Sequence, residues 1–468
     1  MFLAAGTISC KKVIDVKETD LIAGDIALST VTYAEQAVIG TYAALGTEMT
    51  MQLNAVFADE VTKAEFYNAT TTHEWQYGAA DVGLRDSYTG IGPNYTIITR
   101  ANTVLQALPK ASSTVAGDDA KKLRLQGEAL FLRAYAHFEL FRYYCGNYDP
   151  AGLGMVYMER PTIVPASRIN MGEYFTKLKA DLVAAKALVP NNLTDVNRAN
   201  VATVAALQAR VALYLREWAN AEAFATEYIN AVPLATRAQF PGIWTDVNTA
   251  EQSFRLVRTN TLGGRIGSFF RATSASTTNI GQVTWRPAEK LWSTFDQAND
   301  VRFNAYFLNE PLLTAQGRGS RLVQKYAGTT YATPNENVAN AKVFRTAEMY
   351  LIRAEARAEQ GRFSGATGAD ADINTLRAAR INGYTNVTFT SAAQAINEVL
   401  NERYKELCYE GHRFFDLKRR GLPVTRSIAD APSAAGTTLE ANNFRFVLPI
   451  PLPEMVANPA MKQNPGYQ

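Results

Sequence analysis

The sequence contains few of the residues that form disulfide bonds or bind metal ions. Its 468 residues include three cysteines, Cys10, Cys145 and Cys408, and three histidines, so neither a disulfide framework nor a zinc site is expected. No run approaches the roughly 20 apolar residues that a membrane-spanning helix needs. The net charge of +3 is too small to indicate nucleic acid or acidic lipid as a partner.

Motifs that carry enzymatic chemistry are also missing. There is no GxSxG nucleophile elbow and no phosphate-binding P-loop. Gly152-Leu153-Gly154 lacks the third glycine of a dinucleotide-binding fingerprint. Asp59 and Glu60 are adjacent carboxylates, which on a helix would point about 100° apart rather than facing each other as a glycosidase pair. We therefore expect that the protein is not an enzyme and that it binds neither a cofactor nor a metal ion.

Apolar residues recur at steps of three and four along much of the chain, which predicts amphipathic helices. The predicted helices are Met51–Phe66, Ala120–Tyr144, Met171–Val189, Ala199–Tyr214, Trp218–Ala231, Lys342–Gln360, Asp370–Arg380 and Ala392–Lys418. Residues 234–340 are instead rich in Gly, Thr, Asn and aromatic residues, with short β-like runs at Phe254–Val257 and Gly281–Trp285. The predicted fold class is mainly α, with helical pairs packed on an irregular, loop-rich half that contains short β-hairpins.

Three of the predicted helices carry an arginine beside small residues, at Arg133, Arg210 and Arg353. Small residues let two helices approach closely, and the following helix supplies the large side chains. Each such pair needs neighbours to bury its face, as in tetratricopeptide (TPR) repeats. The copies are unevenly spaced, so the pattern indicates TPR-like pairs embedded in a globule.

The stretch Asn401–Gly421 interleaves charges with large apolar residues. Alternating charges on a helix are usually solvated, but this composition favours partly buried, paired charges. Arg403 is expected to pair with Glu406 or Glu410, and Asp416 with a neighbouring arginine. The stretch is interpreted as a structural latch rather than as a catalytic site.

Two segments near the C-terminus resemble the SusD/RagB family. The first segment carries Glu402-Arg403, Glu406-Leu407, Glu410-Gly411, Arg413-Phe414 and Asp416-Leu417. The second carries Leu448-Pro449-Ile450-Pro451, Glu454, Asn458-Pro459 and Gln463-Asn464-Pro465-Gly466-Tyr467. The two segments occur in the family's order and close to the C-terminus, which makes the resemblance specific.

The resemblance implies a SusD-like fold with four TPR-like pairs. It divides the chain into an N-terminal helical part, 25–231, and a C-terminal part, 232–468, within one compact unit. It also implies a surface-exposed outer-membrane lipoprotein that binds glycan and delivers it to a SusC-like TonB-dependent transporter. Two alternatives remain open: RagB-like capture of peptides, and a TPR-type scaffold that binds protein but no small ligand.

The N-terminus resembles the tail of a bacterial lipoprotein signal peptide. Met1–Ser9 is small and apolar and is followed by Cys10. We expect residues 1–10 to be a signal remnant with Cys10 as the lipidated residue, and residues 11–24 to be a tether. The segment lacks a basic beginning and is short for a signal, so the true start is expected upstream.

The predicted ligand surface lies in Asn68–Gly92, which is interpreted as a long, functional loop. Flat aromatic rings stack on the CH-rich faces of sugars, and polar groups bind the hydroxyl rim. Trp75 is the predicted platform, with Trp285 as its companion and Tyr77 and Arg85 in support. The alternative is that each aromatic residue simply packs its own loop onto the helical body.

Overall fold

The computed structural model describes residues 28–261 and 265–467, and the predictions for Cys10, the signal remnant and the tether fall outside these ranges. The helices are α1 (Val31–Ala43), α2 (Thr47–Phe57), α3 (Thr70–His73), α4 (Val82–Tyr88), α5 (Ile91–Ala107), α6 (Asp118–Tyr144), α7 (Met171–Leu188), α8 (Val201–Leu215), α9 (Trp218–Ala231), α10 (Phe240–Trp244), α11 (Glu289–Trp292), α12 (Val301–Tyr306), α13 (Pro311–Ala315), α14 (Thr346–Glu359), α15 (Ala369–Ala378), α16 (Ala392–Glu406), α17 (Arg413–Arg420) and α18 (Leu452–Ala457). The strands are β1 (Val61–Lys63), β2 (Gln252–Leu256), β3 (Trp285–Pro287), β4 (Phe307–Asn309), β5 (Arg321–Val323), β6 (Ala341–Arg345), β7 (Val424–Thr425) and β8 (Thr438–Leu439). Within these ranges no helix is long and apolar enough to cross a membrane.

Packed helical pairs form the larger part of the body. Helix α5 packs on α6, α6 on α7, α8 on α9, and α14 on both α9 and α15. Helices α6 to α9 begin and end within two residues of the predicted boundaries. The mainly α fold class is thereby confirmed, because the apolar stripes of these helices face one another across the pairs.

Each of the three TPR-like helices is joined to a partner helix by the arginine that stands beside its small residues. In all three cases its guanidinium donates hydrogen bonds to a buried carboxylate. The ion pairs are Arg133–Asp181 at 2.5 Å, Arg210–Glu348 at 2.6 Å and Arg353–Asp372 at 2.6 Å. The Arg210 pair links α8 to α14 and so connects the N-terminal helices to the C-terminal ones.

The loop-rich half contains four two-stranded antiparallel ribbons, β1–β3, β2–β6, β4–β5 and β7–β8. Short β elements were predicted here as local hairpins. The ribbons β1–β3 and β2–β6 instead pair strands that lie far apart in the sequence. Their pairing holds the loop-rich half against the helical pairs.

Several predicted element boundaries are wrong. The helix predicted for Met51–Phe66 ends at Phe57, because the chain then extends into β1. The stretch Asn68–Gly92 is not a continuous loop, since it contains α3 and α4. The helix predicted from Lys342 begins as strand β6. In these stretches apolar side chains lie on both faces of a short strand. Their spacing in the sequence then resembles the apolar stripe of an amphipathic helix.

The latch is formed by α16 and α17. The chain reverses between these helices at Gly411, whose φ of 85° lies in the left-handed region. This turn brings Asp416 to Arg403, whose Nε donates to Asp416 Oδ2 over 2.8 Å. The prediction that Arg403 pairs with Glu406 or Glu410 is therefore wrong, because the turn at Gly411 brings Asp416 to Arg403 instead. Asp416 also accepts from Arg419, as expected for a neighbouring arginine.

Glu406 and Glu410, which do not pair with Arg403, belong to a buried ionic cluster. Glu406 accepts hydrogen bonds from Arg302, Arg345 and Arg380, and Glu410 accepts from Arg345. Burial opposes ionisation of Glu406, but the three guanidinium groups hold its pKa well below the usual range. The cluster joins β6, α12, α16 and the turn that follows α15.

Candidate functional site

The ribbon β1–β3 carries an aromatic surface. Its register places Lys63 directly opposite Trp285. Trp285 is only 1% exposed. The rings of Tyr67 and Phe269 lie against it, with centroids 5.2 Å and 6.0 Å from its own, and both are half-buried, so part of each faces solvent. We call Tyr67 and Phe269, supported by Trp285, the aromatic surface; Phe66, which precedes Tyr67 in the chain, is 43% exposed.

Polar groups surround these rings. Asn68 follows Tyr67, Ser268 precedes Phe269, and all three of Asn68, Ser268 and Lys63 are exposed. The Nζ of Lys63 donates to the carbonyl of Pro432 over 2.9 Å. The arrangement therefore offers flat apolar faces edged by hydrogen-bonding groups.

A neutral histidine supports the surface from below. The His73 ring lies 5.0 Å from Trp285, edge to face, and in the described part of the chain neither of its nitrogens has a hydrogen-bond partner. Burial, and then the charges of Arg426 and Lys63, hold the pKa of His73 well below its usual range. His73 thus acts as an uncharged packing element beneath the rings.

Trp75 does not form the predicted platform. It is 3% exposed, its Nε1 donates to the carbonyl of Phe57 over 2.9 Å, and Arg426 lies 4.2 Å from its ring. The guanidinium of Arg426 covers one face of the ring, and the hydrogen bond from Nε1 holds the ring in place. No exposed face remains for a sugar. Trp75 is therefore a core residue, and the alternative of aromatic packing is correct for it. Trp285 is equally buried and serves as the support of the aromatic surface rather than as its contact face.

Tyr77 and Arg85 lie away from the aromatic surface. Tyr77 is buried, donates from its hydroxyl to the carbonyl of Arg445 and stacks on Phe57 with ring centroids 5.2 Å apart. Arg85 is exposed and forms an ion pair with Asp86 at 2.6 Å. The structure therefore does not bring the four predicted ligand residues together at one site.

A second concave feature flanks helix α18, and we call it the α18 groove. One hollow of about 290 Å³ lies between α5, the segment 156–166 and α18. A neighbouring hollow of about 450 Å³ is lined by Ala79, Arg85, Leu452 and Val456, and Ala457 borders both. The walls of the groove are mostly aliphatic, in contrast to the aromatic surface.

Family comparisons agree with this architecture. The family model described as the SusD family matches residues 314–467, and the model described as "Starch-binding associating with outer membrane" matches residues 17–213. The chain belongs to the SusD/RagB family. No curated protein matches this sequence.

Solved structures of SusD proteins share the fold. A SusD superfamily protein from Bacteroides vulgatus is 24% identical, with a TM-score of 0.78 over 94% of this chain and 99% of that one. A laminarin binding SusD-like protein is 21% identical, with a TM-score of 0.73 over 94% and 100%. A surface glycan-binding protein A from Bacteroides fluxus is 20% identical, with a TM-score of 0.73 over 94% and 100%. At these identities the likeness shows the fold alone.

The adjacent carboxylates of this SusD-family chain, Asp59 and Glu60, are both buried in the interior. Asp59 accepts from Arg413 and Lys290, which hold its pKa at about 2 against the opposing effect of burial. Glu60 is buried beside it. In the part of the chain that the structure describes, no group of three or more His, Cys, Asp or Glu residues could hold a metal ion.

Sequence reasoning missed Phe66 and Tyr67, since Phe66 is the last residue of the predicted helix Met51–Phe66 and Tyr67 lies between that helix and the predicted loop Asn68–Gly92. The signal that could have identified them is an aromatic pair directly before the polar run that starts at Asn68. The α18 groove was also missed. Ile163 and Val164 stand as an apolar pair in a Gly- and Pro-rich segment, where core packing does not require them.

Proposed function

We propose that this SusD/RagB-family protein binds glycan at its aromatic surface and passes it to a SusC-like TonB-dependent transporter. The observation that carries the proposal is the pair of partly exposed rings, Tyr67 and Phe269, set over the buried Trp285. Rigid rings supported from below stack on a sugar without losing much conformational freedom. One structural relative is described as laminarin binding and another as a surface glycan-binding protein, which supports the same ligand class.

Binding without catalysis fits the site. Near the rings, His73 is uncharged and Lys63 donates to a backbone carbonyl. Glu65, two residues before Tyr67, is held in ion pairs by Arg286 and Arg318, so none of these three groups is a free acid or base. We therefore propose that the protein captures glycan without cleaving it. The RagB-like alternative, capture of peptides, would favour apolar pockets for side chains over flat rings. The scaffold alternative would require no small-ligand site at all.

Truncating either exposed ring should weaken glycan binding. Tyr67→Ala and Phe269→Ala are each expected to lower affinity about 30-fold, since a central aromatic anchor contributes about 2 kcal/mol. Isothermal titration against a polysaccharide panel that includes laminarin measures the change. The matched control is Tyr33→Ala, which removes an exposed ring on α1. Unchanged affinity in both ring variants, with circular dichroism intact, would remove the aromatic surface from consideration.

The same proposal includes membrane attachment through Cys10. Cys10→Ala, expressed with its natural leader, is expected to move the protein from the membrane fraction to the soluble fraction. The reason is that Cys10 is proposed to carry the lipid chains, and stable anchoring needs more than one such chain. Fractionation in a strain without the transporter measures this shift. Cys145→Ala, which alters a buried thiol, is the control. A Cys10→Ala protein that still sediments with membranes would contradict the anchor.

The transporter is proposed to contact the helical pairs. Stacked pairs such as α6–α7 and α8–α9 present a broad and stiff face. The aromatic surface lies on the loop-rich half, away from the pairs, and would then face the transporter opening.

A further inference from the structure

The α18 groove carries several large aliphatic side chains that are exposed. Ile163 is 101% exposed, Val164 70% and Val456 72%, and no residue of α18 is buried. Large aliphatic side chains that protrude together mark interaction sites more often than scattered single ones do. The groove therefore has a surface that another molecule is suited to cover.

One carboxylate lies within this apolar setting. Among the described residues, Glu454 is the only charged one that lines the 290 Å³ hollow. Its side chain has neither an ion-pair partner nor a hydrogen-bond donor within residues 28–261 and 265–467. Burial raises the pKa of Glu454, and its charge in turn contributes to the raised pKa of Tyr95, so the two groups are close.

The lining of the groove distinguishes between possible occupants. Tyr95 is the one aromatic residue among the described residues that line the 290 Å³ hollow, and its polar lining includes Thr99, Thr162 and Asn458. The exposed large hydrophobic residues of the lining are the aliphatic Ile163 and Val164, which suit the side chains of a peptide better than the flat faces of a sugar. An unpaired carboxylate disfavours an anionic lipid surface. A free peptide would bring a terminal carboxylate, and the only cation of the two hollows, Arg85, is already paired with Asp86.

We propose that the α18 groove binds an internal segment of a partner protein in which a lysine or arginine is flanked by aliphatic residues. The basic side chain pairs with Glu454. The aliphatic side chains cover Ile163, which lines the first hollow, and Val456, which lines the second. This site is separate from the aromatic surface, so the proposal does not depend on glycan binding.

Two blocked peptides test the charge requirement. They are acetyl-Leu-Val-Lys-Ile-Val-amide and its counterpart with glutamate in place of lysine, each labelled for fluorescence anisotropy. The lysine peptide is expected to bind wild-type protein at least 10-fold more tightly. In Glu454→Gln the ratio should fall below about twofold, because the only charge in the hollow is gone, while Val456→Asp should abolish binding of both peptides.

Three results would overturn the proposal. The first is equal affinity of the two peptides for the wild type. The second is binding of the lysine peptide only when its C-terminus is free, which would indicate a nutrient peptide instead. The third is flotation of the protein with vesicles of phosphatidylcholine and phosphatidylglycerol that is lost in Val456→Asp, while neither peptide binds. Tyr67→Ala serves as the control, and it should bind the peptides like the wild type.

Discussion

Replacing Glu406 by glutamine is expected to lower the free energy of unfolding by about 3–5 kcal/mol. Glu406 is completely buried and accepts hydrogen bonds from Arg302, Arg345 and Arg380. Glutamine keeps the shape of the side chain but removes its charge, which leaves three buried guanidinium groups undercompensated. Urea denaturation followed by circular dichroism measures the change.

The control for this prediction lies about two turns earlier in the same helix. Glu398 pairs with Arg377 at 2.8 Å, but its side chain is 36% exposed. Glu398→Gln should lower stability by less than about 1 kcal/mol, since solvent screens a surface pair. Similar losses in the two variants would show that burial does not govern the energetics of the cluster.

Replacing Glu60 by glutamine is expected to do the opposite and stabilise the protein at pH 7. Neither carboxylate oxygen of Glu60 has a hydrogen-bond partner in the described chain. Burial, to which the Asp59 charge adds, raises the pKa of Glu60 to about 8. The folded protein thus holds this proton while the unfolded chain releases it near its ordinary value of 4.5, and stability falls as pH rises between these values. Glutamine removes that loss, by up to about 3 kcal/mol at pH 7.

The pH dependence makes this prediction specific. Below about pH 4.5 the carboxyl is protonated in both states. Wild type and Glu60→Gln should then have similar stability, and the difference should grow towards pH 8. Urea unfolding at pH 4.5, 6 and 7.5 gives the three points, with the exposed Glu440→Gln as a variant that should follow the wild type. A constant difference across this range would mean that Glu60 is ionised in the folded protein.

The helical framework was predictable because its signal is local. Helix α9 begins and ends at the predicted residues, and α7 ends one residue early. An apolar stripe at helical spacing depends only on residues within a few turns of one another. The family signature added what periodicity could not, namely that the pairs belong to a SusD-like body.

The ligand site was less predictable because its signal is long-range. Trp75 is a tryptophan in a polar stretch, and nothing near it in the sequence shows that Arg426 covers its ring. Arg403 illustrates the same limit, since its partner Asp416 lies beyond the turn at Gly411. In both cases the partner is set by tertiary packing, which overrides expectations drawn from neighbours in the chain.

The aromatic surface is assembled from two distant parts of the chain, since Tyr67 comes from one part and Phe269 and Trp285 come from the other. No contiguous fragment contains both parts without the helices between them. A ligand that spans the rings therefore recognises only the folded chain, and its binding energy adds to folding stability through mass action. At a free concentration 100 times its dissociation constant this contribution is about 2.7 kcal/mol. The melting temperature of the protein is thus itself a reporter of its ligand, even for a mixture of saccharides of unknown composition.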